Sequence, residues 1–107
     1  MAESVIDDTA GKQFVVSVDG ITATLEYKLH GGRLHLLHTE VPERFRGHGV
    51  GGRLVEAALA KARTDHLTIV PWCPYARRWL EEHPDAIGDV TLDFNTRPSS
   101  KERSRHR

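Results

Sequence analysis

Apolar residues follow two different periods along this chain, and the switches between them mark its elements. Residues 13–18 (QFVVSV) and 21–29 (ITATLEYKL) carry the β-branched and aromatic side chains that suit half-buried strands. Only Asp19-Gly20 separates them, a pair that tolerates the positive φ of a tight turn and so predicts an antiparallel hairpin. His30-Gly31-Gly32-Arg33 then turns the chain into a third strand, 34–41 (LHLLHTEV), stopped by Pro42. Next the period lengthens. Val50, Leu54, Val55, Ala58, Leu59 and Ala62 fall on one stripe and predict an amphipathic helix of about four turns. Residues 67–70 (LTIV) form a short apolar run suited to a buried strand, ended by Pro71. A second helix is expected after Cys73-Pro74, burying Ala76, Trp79 and Leu80 and stopping near His83, because the residue before Pro84 disfavours helix.

Strand, helix and strand in that order imply a right-handed crossover and a parallel pair, 34–41 beside 67–70. The fold class is therefore α/β with a mixed sheet, one domain over residues 1–96, as a chain of 107 residues allows. Residues 97–107 (RPSSKERSRHR) have no apolar period and are expected to be disordered. There, five Lys/Arg stand against one Glu, so the tail carries +4 and the remainder −4, for a net charge of zero. With no overall bias, nucleic acid is not an expected partner, although a basic tail leaves a nucleic-acid role as a third reading. The single cysteine, Cys73, excludes an intramolecular disulfide and a multi-cysteine zinc site and suits a reducing cytosol. No signal-peptide layout opens the chain and no apolar run approaches membrane-spanning length, so a cytoplasmic protein without a membrane partner is expected.

The densest signal is 41–59 (VPERFRGHGVGGRLVEAAL), with Gly47, Gly49, Gly51 and Gly52 packed between the end of a strand and the start of a helix. Helix N-termini leave backbone N–H groups unpaired and favour negative charge, and glycines keep side chains out of a phosphate's way. Gly51 is followed by Gly52-Arg53-Leu54 rather than by a lysine and a hydroxyl residue, which argues against a nucleotide triphosphatase loop. Pro71 follows the next strand where a dinucleotide site needs an acidic residue, which argues against that fold too.

Other candidates for chemistry are sparse. His38 and Glu40 are two apart on a strand and share a face with Leu34 and Leu36, whereas His35 points the other way unless a bulge intervenes. Histidine titrates near neutrality, so His38 is either a proton acceptor or a solvated polar group at a strand end. Cys73 precedes Pro74, which suits the first helical position, so its sulfur is expected at a helix N-cap with Arg77 one turn on. The competing reading is a buried, inert thiol. A metal on His38 and Cys73 would need further ligands that no paired spacing supplies, so no metal is expected.

Arg46-x-x-Gly49-x-Gly51 between a strand and an amphipathic helix resembles the acetyl-CoA pyrophosphate signature of the GNAT N-acetyltransferase superfamily. His38-Thr39-Glu40-Val41-Pro42 before it, and Pro71-Trp72-Cys73 leading to a helix that ends in His83-Pro84, are similar to the small single-domain branch of that superfamily. The resemblance spans about residues 13 to 90; Pro74, directly after the cysteine, departs from the small polar residue of the pattern. It implies a minimal GNAT fold and acetyl-CoA as co-substrate, with transfer of the acetyl group to an amine. It implies cofactor contacts from Val41, Arg46, Gly47, His48, Gly49, Val50, Gly51 and Gly52, with the pantetheine arm lying where the two parallel strands splay apart. Catalytic roles fall to Cys73, His38 and Glu40. Cys73 takes the acetyl group as a thioester with His38 as base, or gives a proton to the departing CoA thiolate, while Glu40 orients an ammonium. The chief rival is a non-catalytic acyl-CoA-binding module. The chain is too short for the elements that shape the acceptor pocket in larger members, so an open acceptor site is expected, on a monomer or weak dimer.

Overall fold

The computed structural model describes residues 4–95, so the expected basic tail lies outside the described residues. Five strands form one sheet in the order β1 (Ile6–Asp8), β2 (Gln13–Val18), β3 (Ile21–His30), β4 (Arg33–Glu40) and β5 (Thr68–Pro71). The first four are antiparallel, and β4 and β5 are parallel, joined over the sheet by α1 (Val50–Asp65). A short 3-10 turn, Glu43–Phe45, precedes α1. Two helices, α2 (Pro74–Glu82) and α3 (Pro84–Ile87), follow β5. The mixed sheet is the one the strand periods predict, and the β2–β3 turn has positive φ at both Asp19 and Gly20, 53° and 79°.

Alternation puts Phe14, Val16, Ala23, Leu25, Tyr27, Leu34, Leu36 and Ile69 on one side of the sheet, all buried. Against them lies the predicted stripe of α1, with Val50, Leu54, Val55, Ala58, Leu59 and Ala62 all inaccessible. Ala76 and Leu80 of α2 complete this core, while Trp79 is only half-buried and rests on α1. The opposite side of the sheet is polar: Ser17, Thr22, Thr24, Glu26 and Lys28 alternate with the core residues of β2 and β3. Two small elements escape the periodicity. β1 has three residues and two are aspartates, and it is held by the Asp7 carboxylate, which accepts from the Tyr27 hydroxyl and from Lys61 Nζ at 2.7 Å. α3 is a single turn begun by Pro84.

One irregularity decides how the site is built. In the β3–β4 ladder Tyr27 pairs with Leu36 but Glu26 pairs with His38, so Leu37 is an extra residue without a partner. A bulge of one residue reverses the facing of everything after it. Thr39, opposite Leu25, now faces the helices, and His38 and Glu40, opposite Glu26 and Thr24, face the open side. The expectation that His38 and Glu40 share a face with Leu34 and Leu36 is thus corrected. The bulge groups them with His35 instead.

Candidate functional site

The glycine-rich segment runs from the end of β4 into α1 through a tightly hydrogen-bonded loop. Phe45 is buried and anchors it; its N–H donates to Pro42 O, Arg46 N–H to Glu43 O, and His48 N–H to Phe45 O. Gly49 caps α1 in the left-handed conformation (φ 75°, ψ 12°) with no side-chain cap, and Gly47 also has positive φ, 84°. A Cβ on either would meet nothing within 4 Å, so both backbones border open space. The leading N–H groups of a helix have no intrahelical acceptor, and no acidic side chain occupies the first turn of α1 to neutralise its dipole. A cleft of about 410 Å³ lies directly in front, bounded by Thr39 from β4 and Val41 just after it, by Arg46, Gly47 and Gly49 from the loop, and by Tyr75 from α2. Arg46 Nε reaches back to Val41 O at 3.4 Å.

The four glycines divide into two pairs with different physical reasons. Gly51 and Gly52 sit inside α1 under α2: a Cβ on Gly51 would lie 2.5 Å from Tyr75 Oη, and one on Gly52 would lie 2.6 Å from Trp79 Nε1. They leave room for two aromatic side chains against the helix start. Gly51 still borders the cleft, whereas Gly52 does not. His48 borders a second cavity rather than this one, and Val50 contributes to both walls as a buried core residue. Tyr75 is a site residue that the motif reading passes over. It is 43% exposed, and its phenol is raised above its ordinary value, chiefly by burial and further by the nearby Glu82 carboxylate.

At the cleft's inner end the sheet opens. Parallel pairing runs from Arg33–Thr68 to Leu36–Pro71 and stops. Trp72 N–H and Cys73 N–H both donate to Leu36 O, at 3.0 and 2.9 Å, which swings the chain off the ladder. Residues 38–40 keep partners only on β3, and their other edge faces the gap. Cys73 is the N-cap of α2 with Pro74 in the first turn, as the sequence predicts. Its sulfur makes no cap bond; it lies 3.1 Å from Thr39 Oγ1 across the gap and is 3% exposed. Arg77 is turned elsewhere, pairing with Glu81 and lying over the Phe94 ring at 5.1 Å.

His38 and Glu40 are bonded to each other, Nε2 to Oε1 at 3.2 Å, with side chains 59% and 70% exposed on the open face. The structure thus brings Cys73 together with Thr39, and His38 together with Glu40, on opposite sides of the gap. His35, on the face of His38, packs edge-on against Trp72 at 5.4 Å. Its imidazole is lowered below the ordinary value, chiefly by burial and then by Arg33, Lys28 and His30. Among the described residues no group of three or more His, Cys, Asp or Glu side chains could hold a metal, and no helix is long and apolar enough to cross a membrane.

Comparison with known proteins agrees with this geometry. Residues 13–90 match the family model described as GCN5-related N-acetyl-transferase. Protein NATD1 of Gallus gallus is 35% identical over 80 residues, covering 72% of this chain and 73% of that protein. The human protein NATD1 is also 35% identical over 80 residues, covering 72% and 71%. Protein NATD1 of Xenopus tropicalis is 32% identical over 99 residues, covering 78% and 91%. With a matched segment that contains the mixed sheet, the glycine loop and the splayed strands, the chain belongs to the GCN5-related N-acetyltransferase family.

Proposed function

We propose that this protein binds acetyl-CoA in the cleft between β4, the 45–51 loop and Tyr75, and transfers its acetyl group to an amine. The observation that carries the reading is a coincidence of place: the β4–β5 ladder ends at Leu36–Pro71 at the same end of the sheet as the unpaired N–H groups of α1. A pyrophosphate fits the loop because Gly47 and Gly49 leave the backbone uncovered. An extended arm fits the gap because the free edge of residues 38–40 offers strand-type hydrogen bonds. Acetyl-CoA supplies the acetyl group as a thioester.

The chain's own residues then divide the work. The acceptor amine reaches the gap from the open face, where no helix covers the sheet. Glu40 holds its ammonium form, His38, bonded to Glu40, takes one proton from it to free the nitrogen lone pair, and the second proton is shed to solvent as the nitrogen bonds to the acyl carbon. As the carbon–sulfur bond breaks, CoA leaves as a thiolate, and Cys73 with Thr39 lines the other side of the gap as a proton source for it. Burial of Cys73 to 3% exposure and its contact with Thr39 favour this direct route over an acetylated cysteine, which would require the sulfur to leave Thr39.

Release of CoA thiol from acetyl-CoA in the presence of primary amines tests the reading. Amine-dependent release, reduced at least about tenfold in His38→Gln, supports it; binding of acetyl-CoA without any release would favour the acyl-CoA-binding module. Intact mass after mixing with acetyl-CoA separates the two routes, because only acetylation of Cys73 gives an adduct that Cys73→Ala abolishes.

A further inference from the structure

The open face of the sheet carries a carboxylate beside His38 that the chemistry above does not use. Glu26 of β3 pairs in register with His38 of β4, and Glu40 pairs with Thr24, so the two glutamates stand diagonally across the β3–β4 ladder. Cβ atoms on such a diagonal lie about 7 Å apart. The Leu37 bulge creates this arrangement, since in an unbroken ladder His38 and Glu40 would face the helices. Both glutamates are exposed. The negative stretch is short. Lys28, the next residue on this face of β3, pairs with His35, and on β2 the partner of Glu26 is Gln13. Beyond Gln13, the Asp8 carboxylate already accepts from Gly11 N–H at 3.0 Å and from Gln13 Nε2 at 3.3 Å.

We infer that Glu26 selects the acceptor, and that the acceptor is a short diamine lying across β4, with one ammonium at Glu40 beside the gap and the other at Glu26. The inference rests on the reading of His38 and Glu40 as the acceptor side of the transfer and names the substrate class of that site. The gap lies on the β5 side of β4 and Glu26 on its β3 side, so an amine held at Glu40 can point its far end away from the thioester and toward Glu26. A four-carbon chain sets its two nitrogens about 6 Å apart, close to the length of the diagonal. A diamine neutralises both carboxylates, whereas a monoamine leaves Glu26 without a counter-charge. Acetylation turns the near ammonium into a neutral amide, so the product brings one charge to two carboxylates and binds less well than the substrate. The monoacetylated diamine therefore accumulates ahead of the diacetylated one.

Initial rates of CoA thiol release by the full chain, with 1,4-diaminobutane and with 4-aminobutan-1-ol as acceptors, test this; the second has the same length and one charge. An exposed ion pair at Glu26 predicts that the diamine is preferred about fivefold in kcat/KM per reactive end, mainly through KM, and that added salt shrinks the preference. In Glu26→Gln the preference should fall below about twofold, and Glu26→Asp should keep part of it. Unchanged circular dichroism and melting temperature would show that the variants are folded. Equal kcat/KM for the two amines in the wild type overturns the inference and leaves acetyl transfer standing, as does a full preference for the diamine in Glu26→Gln. Turnover of a lysine peptide with a second basic residue, without turnover of the diamine, would overturn it in favour of a protein acceptor. Absence of release with all three acceptors overturns both readings.

Discussion

Gly51→Ala should change sign with its neighbour. The added Cβ would lie 2.5, 2.7 and 2.9 Å from Oη, Cζ and Cε2 of Tyr75, closer than any tolerated contact, so the ring must move. Forcing a side chain aside in a packed site costs about 1–3 kcal/mol, and because Tyr75 is 43% exposed and can swing outward the lower half applies. Alanine is better than glycine inside a helix by about 1 kcal/mol. The net expectation in the wild type is a loss of up to about 1 kcal/mol. With Tyr75→Ala the obstacle is gone and only the helix term remains, so the same substitution should stabilise by about 0.5–1 kcal/mol. Urea unfolding of the wild type, both single variants and the double variant gives the coupling directly, expected at about 1–2 kcal/mol. An effect of the same sign and size in both backgrounds would refute the account of Gly51 as the seat of Tyr75.

Gly49→Ala places a Cβ in a left-handed residue and should lower stability by about 1–2 kcal/mol, with Gly49→Asn recovering part of the loss; equal melting temperatures for the two would contradict the strain argument. Burial raises the Tyr27 phenol well above the ordinary value of a tyrosine, about 10, so the unfolded chain loses this proton first. Stability should therefore fall as pH rises past about 10, and Tyr27→Phe should flatten that slope in denaturant titrations. Cys73→Ala removes a buried sulfur and its Thr39 contact and should cost about 1–2 kcal/mol, and iodoacetamide should label native Cys73 far more slowly than the unfolded chain.

The elements with a strong period were legible in the amino-acid pattern. The β2–β3 hairpin, the α1 stripe and the parallel β4–β5 pair all follow from alternation, Asp19-Gly20 and the spacing of Val50 to Ala62. The bulge was not, because Leu37 reads as one more apolar residue in a strand and only the pairing with β3 leaves it over. That one residue decides which side of the sheet His38, Thr39 and Glu40 face, and so which of them meets Cys73. The glycines were legible as a group but not by purpose. Whether a glycine is open to a ligand or covered by an aromatic ring depends on Tyr75 and Trp79, about a quarter of the chain away. β1 was missed for a similar reason, since its place is set by the contacts of Asp7 with Tyr27 and Lys61 rather than by any apolar run.

The central claim is that acetyl-CoA lies along the end of β4 and over the start of α1. Titrating acetyl-CoA into 15N-labelled protein and following backbone amide signals tests it directly. The account predicts the largest shifts at Val41, Gly47, Gly49, Val50 and Gly51, with smaller ones at Thr39 and Cys73 and almost none on β1. Saturating acetyl-CoA that leaves the Gly47–Gly51 amides unmoved, or that shifts residues elsewhere on the sheet instead, would contradict it.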